Sequence, residues 1–316
     1  MSSRMGEPDH RPPFVVLIGP TGVGKTRVAL EAAEAMRGEI VSADSRLLYR
    51  GMDIGTAKPS PDERRRVPHH LIDVADPRET WSLALFGTAA RTALAEIHAR
   101  GRLPLVVGGT GQYVTALVEG WQPPPAPSDP AVRRRLEAEA QEQGGEALHT
   151  RLAALDPARA QKLDARNLRR VIRALEIIET TGRPASLQGG RRPPPYRILR
   201  LGLWLPRHEL YRRIDARLDA MLASGLVEEV RRLLEAGVPV DAPALSAIGY
   251  RQIVAHLEGR STLDGAVGDI RRATRQLVRR QANWFKRDDP AILWIEAQET
   301  AADECVEAIR QWLGGG

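Results

Sequence analysis

Residues Gly19, Pro20, Thr21, Gly22, Val23, Gly24, Lys25 and Thr26 form the pattern G-x-x-x-x-G-K-[ST]. An apolar run, Phe14–Gly19, precedes the lysine, and Thr26–Met36 follows with Val28, Ala29, Ala32 and Ala33 at helical spacing. A buried strand, a glycine-rich turn and a helix in that order are what a phosphate-binding loop needs. The glycines let backbone N–H groups turn inward around phosphate oxygens, and the new helix adds its positive end. Lys25 reaches terminal phosphates and Thr26 is placed to ligate Mg²⁺. The bland alternative is a glycine-rich turn that binds nothing.

This strand–loop–helix unit commits the chain to a parallel sheet, and later segments supply partners. Glu39–Ser42, His70–Val74, Leu103–Val107, Arg197–Leu205 and Ala291–Ile295 read as strands, and Leu83–Ala99 as a long helix. Two proline-rich breaks, Gln122–Pro130 and Gln188–Pro195, bracket a stretch that reads as helical. Asp129 before Pro130 suits an N-cap and first-turn pair, and Leu168, Val171, Ile172, Leu175 and Ile178 repeat at helical spacing. The expected fold is α/β: a P-loop NTPase-like parallel-sheet core over 14–121 and 196–316, a mostly α-helical insertion domain over 122–195, and a disordered tail over 1–13. A helical continuation of one domain is the alternative to an insertion.

The single cysteine, Cys305, permits no disulfide within the chain and no cysteine-based zinc site. The N-terminal residues lack the apolar centre of a signal peptide, and no apolar run approaches ~20 residues. A cytoplasmic protein without a membrane segment is expected. The formal charge of +6 suits an anionic partner, although arginine-rich composition alone would give the same surplus.

A P-loop says that a polyphosphate binds, not what happens to it. Nucleotide-hydrolysing relatives of this fold place an aspartate at the end of a neighbouring strand to hold the metal. Here Leu103–Val107 runs into Gly108-Gly-Thr-Gly111 with no carboxylate, although Asp73 is a candidate for that role. The strand Glu39–Ser42 runs into Asp44, which in a doubly wound sheet lies on the ligand side. Asp44 there suits a metal ligand, a proton acceptor or a plain turn aspartate. His69 and His70 read as structural, since neighbours on a strand point to opposite sides. Trp284, Phe285 and Trp294 read as core aromatics. Arg159, Lys162, Arg166, Arg169, Arg170 and Arg173 form one basic stripe, and Arg271, Arg275 and Arg279 a second. Both suit a phosphodiester backbone or a solvated arginine-rich face.

The P-loop, the segment Ser42-Ala-Asp-Ser45 and the segment Tyr49-Arg-Gly-Met-Asp-Ile-Gly-Thr-Ala-Lys-Pro59 together resemble the tRNA dimethylallyltransferase family, the isopentenyl-tRNA transferases of bacteria. The likeness continues through Pro68–Asp73, Val107–Tyr113, Asn167–Glu176, Met221–Leu226, Ile248–Gln252 and Thr274–Phe285, covering Phe14 to about Asp288. The segment Gly51–Pro59 is much more specific than the P-loop.

The resemblance implies an enzyme that moves a dimethylallyl group from dimethylallyl diphosphate to N6 of adenosine 37 in the tRNA anticodon stem-loop, releasing diphosphate. Its P-loop would hold the donor's diphosphate rather than ATP, with Mg²⁺ as the metal. Asp44 matches the general base, Thr110 a residue at the reacting centre, and Arg217 an arginine on the diphosphate, beside Lys25. The matching tRNA contacts are Asp44, Ser45, Arg46 and Leu47; Thr110 and Arg133; Arg169, Arg170, Val171, Ile172 and Arg173; and Ser246, Ala247, Ile248, Gly249, Tyr250 and Arg251. Many members of the family carry Gln where this chain has Leu47, so a polar base contact is not expected there. Nothing in the sequence forces a dimer, and a monomer is expected. The competing readings are an adenine-nucleotide prenyltransferase, a P-loop kinase or NTPase, and a non-catalytic RNA-binding protein.

Overall fold

The computed structural model describes residues 10–124 and 129–315. Most of the expected tail (residues 1–9) and the middle of the first proline-rich break (125–128) lie outside the described residues. Eight strands occur among the described residues: β1 (Pro13–Ile18), β2 (Gly38–Ser42), β3 (His69–His70), β4 (Leu103–Gly108), β5 (Trp121–Gln122), β6 (Gly190–Arg191), β7 (Arg197–Trp204) and β8 (Leu293–Glu296). The chain divides into two compact units: residues through Val118 with those from Pro194 onward, and Glu119–Pro193.

The first unit is built on a six-stranded sheet of order β3-β2-β4-β1-β7-β8, every pair parallel. β1 lies inside it, in register with β4 (Ile18 opposite Gly108) and with β7 (Ile18 opposite Gly202). Successive side chains of a strand face opposite sides. Phe14, Val16 and Ile18 join one apolar cluster with Phe86, Ala90, Leu94 and Ile97 of the helix Leu83–Ala99. Val15 and Leu17 join another with Val28, Ala29 and Ala32 of the helix Lys25–Ala35. A strand that is apolar on both faces is what helices on both sides of a parallel sheet require.

Local signals set the helix ends. Ser82 caps Leu83–Ala99, its side chain accepting from the N–H of Leu85. The third strand is shorter than the apolar pattern His70–Val74 suggested. Leu71 and Asp73 adopt left-handed φ values of 62° and 57°, which end the ladder after His70. Of the aromatics expected in the core, Phe285 is buried, whereas Trp284 is exposed. Trp284 is the last residue of the helix Leu263–Trp284, where the buried face runs out toward the surface.

The second unit carries the helices Pro130–Gln143, Gly145–Leu155 and Leu168–Thr181, which bury Leu136, Leu148, Leu152, Val171 and Leu175 together. β5 and β6 pair antiparallel within the same unit. Asp129 accepts from the N–H groups of Ala131 and Val132, with Pro130 in the first turn. The fully buried Glu176 accepts from the N–H of Asp129 at 2.8 Å, from Arg133 at 2.8 Å and from Arg173 at 2.9 Å. A buried carboxylate needs such partners to offset its lost hydration.

Candidate active site

The ends of β1, β2 and β4 lie side by side in the sheet, so the segments after Ile18, Ser42 and Gly108 gather at one edge. After β1 the chain passes through Gly19–Thr26. Gly24 precedes the helix Lys25–Ala35 with φ 102°, a left-handed value that glycine adopts without strain. No side chain caps this helix, so capping leaves its first amides uncommitted. Lys25 Nζ donates to the carbonyls of Gly19 and Pro20, at 2.9 Å each. Burial pushes the Lys25 amine down to about 8; Asp44 opposes the shift and Arg217 reinforces it.

Arg217 comes from the helix Arg207–Ala223, whose Leu210, Ile214 and Leu218 are buried. Its Nη2 donates to Thr21 Oγ1 at 2.7 Å. Burial lowers its pKa and the Asp44 charge raises it. Lys25, Arg217 and Asp44 thus share one electrostatic neighbourhood.

Asp44 sits in a turn just beyond β2. Its Oδ1 accepts from the N–H of Arg46 at 2.8 Å, which is the turn role the sequence left open. Its Oδ2 makes no hydrogen bond to any described residue and is available as an acceptor. Thr110, beyond β4, braces the same turn. Its Oγ1 accepts from the N–H of Ser45 at 3.1 Å and lies 3.4 Å from Ser45 Oγ. The N–H of Thr110 donates to the carbonyl of Ala43. Arg46 donates to the carbonyl of Pro243 at 2.9 Å, joining the turn to the segment that leads into residues 246–251.

The segment Gly51–Pro59 folds around groups that sequence reading missed. Glu229, buried on the helix Leu226–Glu235, accepts from the N–H groups of Asp53 at 2.9 Å, Ile54 at 2.8 Å and Gly55 at 3.1 Å. Tyr250 donates its hydroxyl to the same carboxylate at 2.6 Å. Gly55 packs so closely that a Cβ there would lie 2.5 Å from the Tyr250 ring. Lys58 Nζ reaches Asp53 at 2.6 Å and Asp73 at 2.5 Å, and donates to the carbonyl of Tyr49. No local pattern announces Glu229, because its partners are backbone N–H groups that every residue but proline carries.

Asp73, the candidate for a nucleotide enzyme's metal ligand, is otherwise engaged. Burial alone would raise its carboxyl, but Lys58 and Arg64 at 2.7 Å hold it below the usual carboxylate range. His70 pairs with Glu39 at 2.7 Å, and Glu39 also holds Arg100. Among the described residues no group of three or more histidine, cysteine or acidic side chains is arranged to hold a metal.

The residues matched to tRNA contacts divide by exposure. Asp44, Ser45, Arg46 and Leu47 are half-buried, while Ser246, Arg251, Arg169 and Arg170 are exposed. No described residue pairs with Arg169 or Arg170. Val171, Ile172, Ala247 and Tyr250 have buried side chains, which leaves their backbone groups for the contacts the resemblance implies. Val171 and Ile172 fill the core of the second unit, and Tyr250 serves Glu229. Arg133 and Arg173 are tied to Glu176, and Arg166 to Asp164. In the second basic stripe Arg271 pairs with Asp219 and Arg275 with Asp215, at 2.8 Å each, which neutralises much of it.

Comparison with known proteins places most of the chain beside one family. The family model described as IPP transferase matches residues 47–288. The tRNA dimethylallyltransferase of Thermomicrobium roseum is 58% identical over 279 residues, 88% of this chain and 85% of that protein. That of Roseiflexus castenholzii is 54% identical over 297 residues, 94% of this chain and 97% of the other. Among solved structures, the tRNA isopentenylpyrophosphate transferase of Bacillus halodurans is 39% identical with a TM-score of 0.70, covering 96% of both chains. A eukaryotic dimethylallyltransferase acting on tRNA is 26% identical with a TM-score of 0.77, covering 96% of this chain and 80% of the other.

Proposed function

This chain belongs to the IPP transferase family, and from that premise we propose that it transfers a dimethylallyl group from dimethylallyl diphosphate to N6 of adenosine 37 in tRNA. The observation that carries the reading is the meeting of a phosphate loop with a carboxylate that keeps one oxygen uncommitted. Asp44 is felt by both Lys25 and Arg217, and its Oδ2 is uncommitted.

In the reaction the bond between donor C1 and its phosphate oxygen breaks, and the diphosphate leaves with the electron pair. N6 of the adenine supplies the electrons for the new C–N bond, and its proton passes to Asp44. The exocyclic amine is a weak nucleophile, so a base placed on its proton matters most as the bond forms. Charge grows on the leaving oxygens. The P-loop amides, Lys25 and Arg217 are aimed where that charge develops. Lys25 exchanges the carbonyls of Gly19 and Pro20 for phosphate oxygens. Mg²⁺, when bound, would neutralise part of the diphosphate charge, and Thr26, the hydroxyl of the P-loop pattern, would hold it beside the phosphates.

Thr110 keeps Asp44 and Ser45 in place through the Ser45 N–H. The adenine must leave its stack, at a cost of a few kcal/mol that is smaller in a loop than in a duplex. Arg169 and Arg170 offer unpaired charge for the RNA backbone. The P-loop, Asp44, Thr110 and Arg217 all belong to one unit of one chain, which supports action as a monomer. No helix among the described residues is long and apolar enough to cross a membrane.

The test is incubation with labelled dimethylallyl diphosphate, Mg²⁺ and either unmodified tRNA or AMP. Label on tRNA alone is expected. Label on AMP would instead establish an adenine-nucleotide prenyltransferase.

A further inference from the structure

The helix Leu263–Trp284 buries Ala266, Ile270, Ala273, Thr274 and Val278 on one face, and the same face ends on a glutamine. Gln281 is 8% exposed. An apolar side chain would pack there without the cost of burying an amide. Both ends of this amide are engaged. Its Oε1 accepts from the N–H of Thr21 at 2.9 Å, and its Nε2 donates to the carbonyl of Gly109 at 3.0 Å.

These two partners belong to opposite halves of the reaction. Thr21 is in the phosphate loop and its hydroxyl receives Arg217. Gly109 precedes Thr110, whose hydroxyl holds the turn carrying Asp44. The sheet alone does not lock these loops together, because both leave it at the strand ends. The fit at Gly109 leaves no room for a side chain: a Cβ would lie 2.3 Å from Gln281 Nε2.

We propose that Gln281 is a positioning residue for prenyl transfer, its amide fixing the spacing between the phosphate loop at Thr21 and the Gly109–Thr110 turn that braces Asp44. This rests on the functional reading above. Displacement at carbon requires the incoming amine, C1 and the leaving oxygen to be aligned. Gln281 acts through Thr21 and Gly109, so its loss misaligns bound partners more than it weakens their binding. A misplacement of about 1 Å can cost on the order of 100-fold in rate.

The experiment compares wild-type protein, Gln281→Met, Gly109→Ala and the double variant. Single-turnover rates are read at saturating dimethylallyl diphosphate and tRNA, with the affinity for each substrate measured separately. Gln281→Met keeps the side-chain length and removes both hydrogen bonds. It is expected to slow transfer by about 10–100-fold while both affinities change less than about threefold. Gly109→Ala displaces the same amide, so the double variant should be no slower than the slower single one.

An unchanged rate in Gln281→Met overturns the proposal. So does a loss accounted for wholly by weaker donor binding, or a double variant whose losses multiply. If the methionine variant does not fold, Gln281→Glu keeps the acceptor for Thr21 and loses the donor to Gly109, and the same slowing at saturating substrate is expected. Wild-type protein that labels no tRNA would overturn the functional reading itself, and is told apart because no variant is needed to see it.

Discussion

Tyr250 donates its hydroxyl to the Glu229 carboxylate at 2.6 Å, and both side chains are buried. Burial and the neighbouring carboxylate keep the phenol far from ionising. The same carboxylate gathers three successive N–H groups of Asp53–Gly55, so one side chain organises the segment that most distinguishes this sequence. Glu229→Ala leaves four donors without their acceptor. It should destabilise the protein by about 2–4 kcal/mol, since the Tyr250 hydroxyl is left buried and unpaired at about 1–3 kcal/mol and the three part-buried N–H groups lose less because water can reach them. Tyr250→Phe, which removes one donor, should cost about 1–2 kcal/mol. Denaturant unfolding of the two variants checks the order. Equal losses would contradict the central place given to Glu229.

Asp44→Asn keeps the side-chain acceptor for the Arg46 N–H and removes the carboxylate that we propose as the base. Turnover should fall by roughly 10²–10⁴ with tRNA affinity largely intact. Rates and tRNA binding measured on the same preparation decide it. A normal rate would remove Asp44 from its role.

Lys25 titrates at about 8 in the free protein, below its ordinary 10.5. The unfolded chain therefore holds this proton more tightly, and the group's contribution to stability rises as pH increases from about 8 toward 10.5. A bound diphosphate favours the charged amine. Donor binding should therefore take up little proton at pH 6.5 and progressively more through pH 8 to 9. Calorimetry in buffers of different ionisation heat reads this uptake, and the lysine's share is the part that disappears in Lys25→Met. A lysine that stays fully charged at pH 9 would show no such difference.

Arg169 and Arg170 are the exposed, unpaired members of the first basic stripe. Replacing both with alanine should weaken tRNA binding and flatten the plot of log affinity against log salt by about 1–2 units, since each phosphate contact contributes about 0.7–0.9. Arg173→Ala should instead loosen the second unit, because Arg173 serves the buried Glu176. An unchanged salt slope in the first variant would show that the stripe is only a solvated face.

Much of this was legible in the sequence where the signal is local. The phosphate loop, the alternating faces of β1 and the capped helix Leu83–Ala99 are each specified by residues close together in the chain. The ties between loops were not. Gln281 and Thr21 are 260 residues apart, and Glu229 and Asp53 176 residues apart, so no local pattern reveals either bond. The end of β3 was hidden for another reason. Leu71 and Asp73 take left-handed conformations without the glycine that would signal them, and Asp73 is held by Lys58 and Arg64. The arginine stripes were visible as charge, but their partners Asp215, Asp219 and Glu176 became apparent only in the folded chain.

The central claim is that the phosphate loop grips a leaving group while carbon, not phosphorus, is attacked. The most direct measurement follows both products of one turnover: the mass gained by tRNA and the phosphorus species released from dimethylallyl diphosphate. The account predicts one intact diphosphate for each dimethylallyl group on an adenine N6. Orthophosphate release from ATP, with no mass gained by the tRNA, would contradict it.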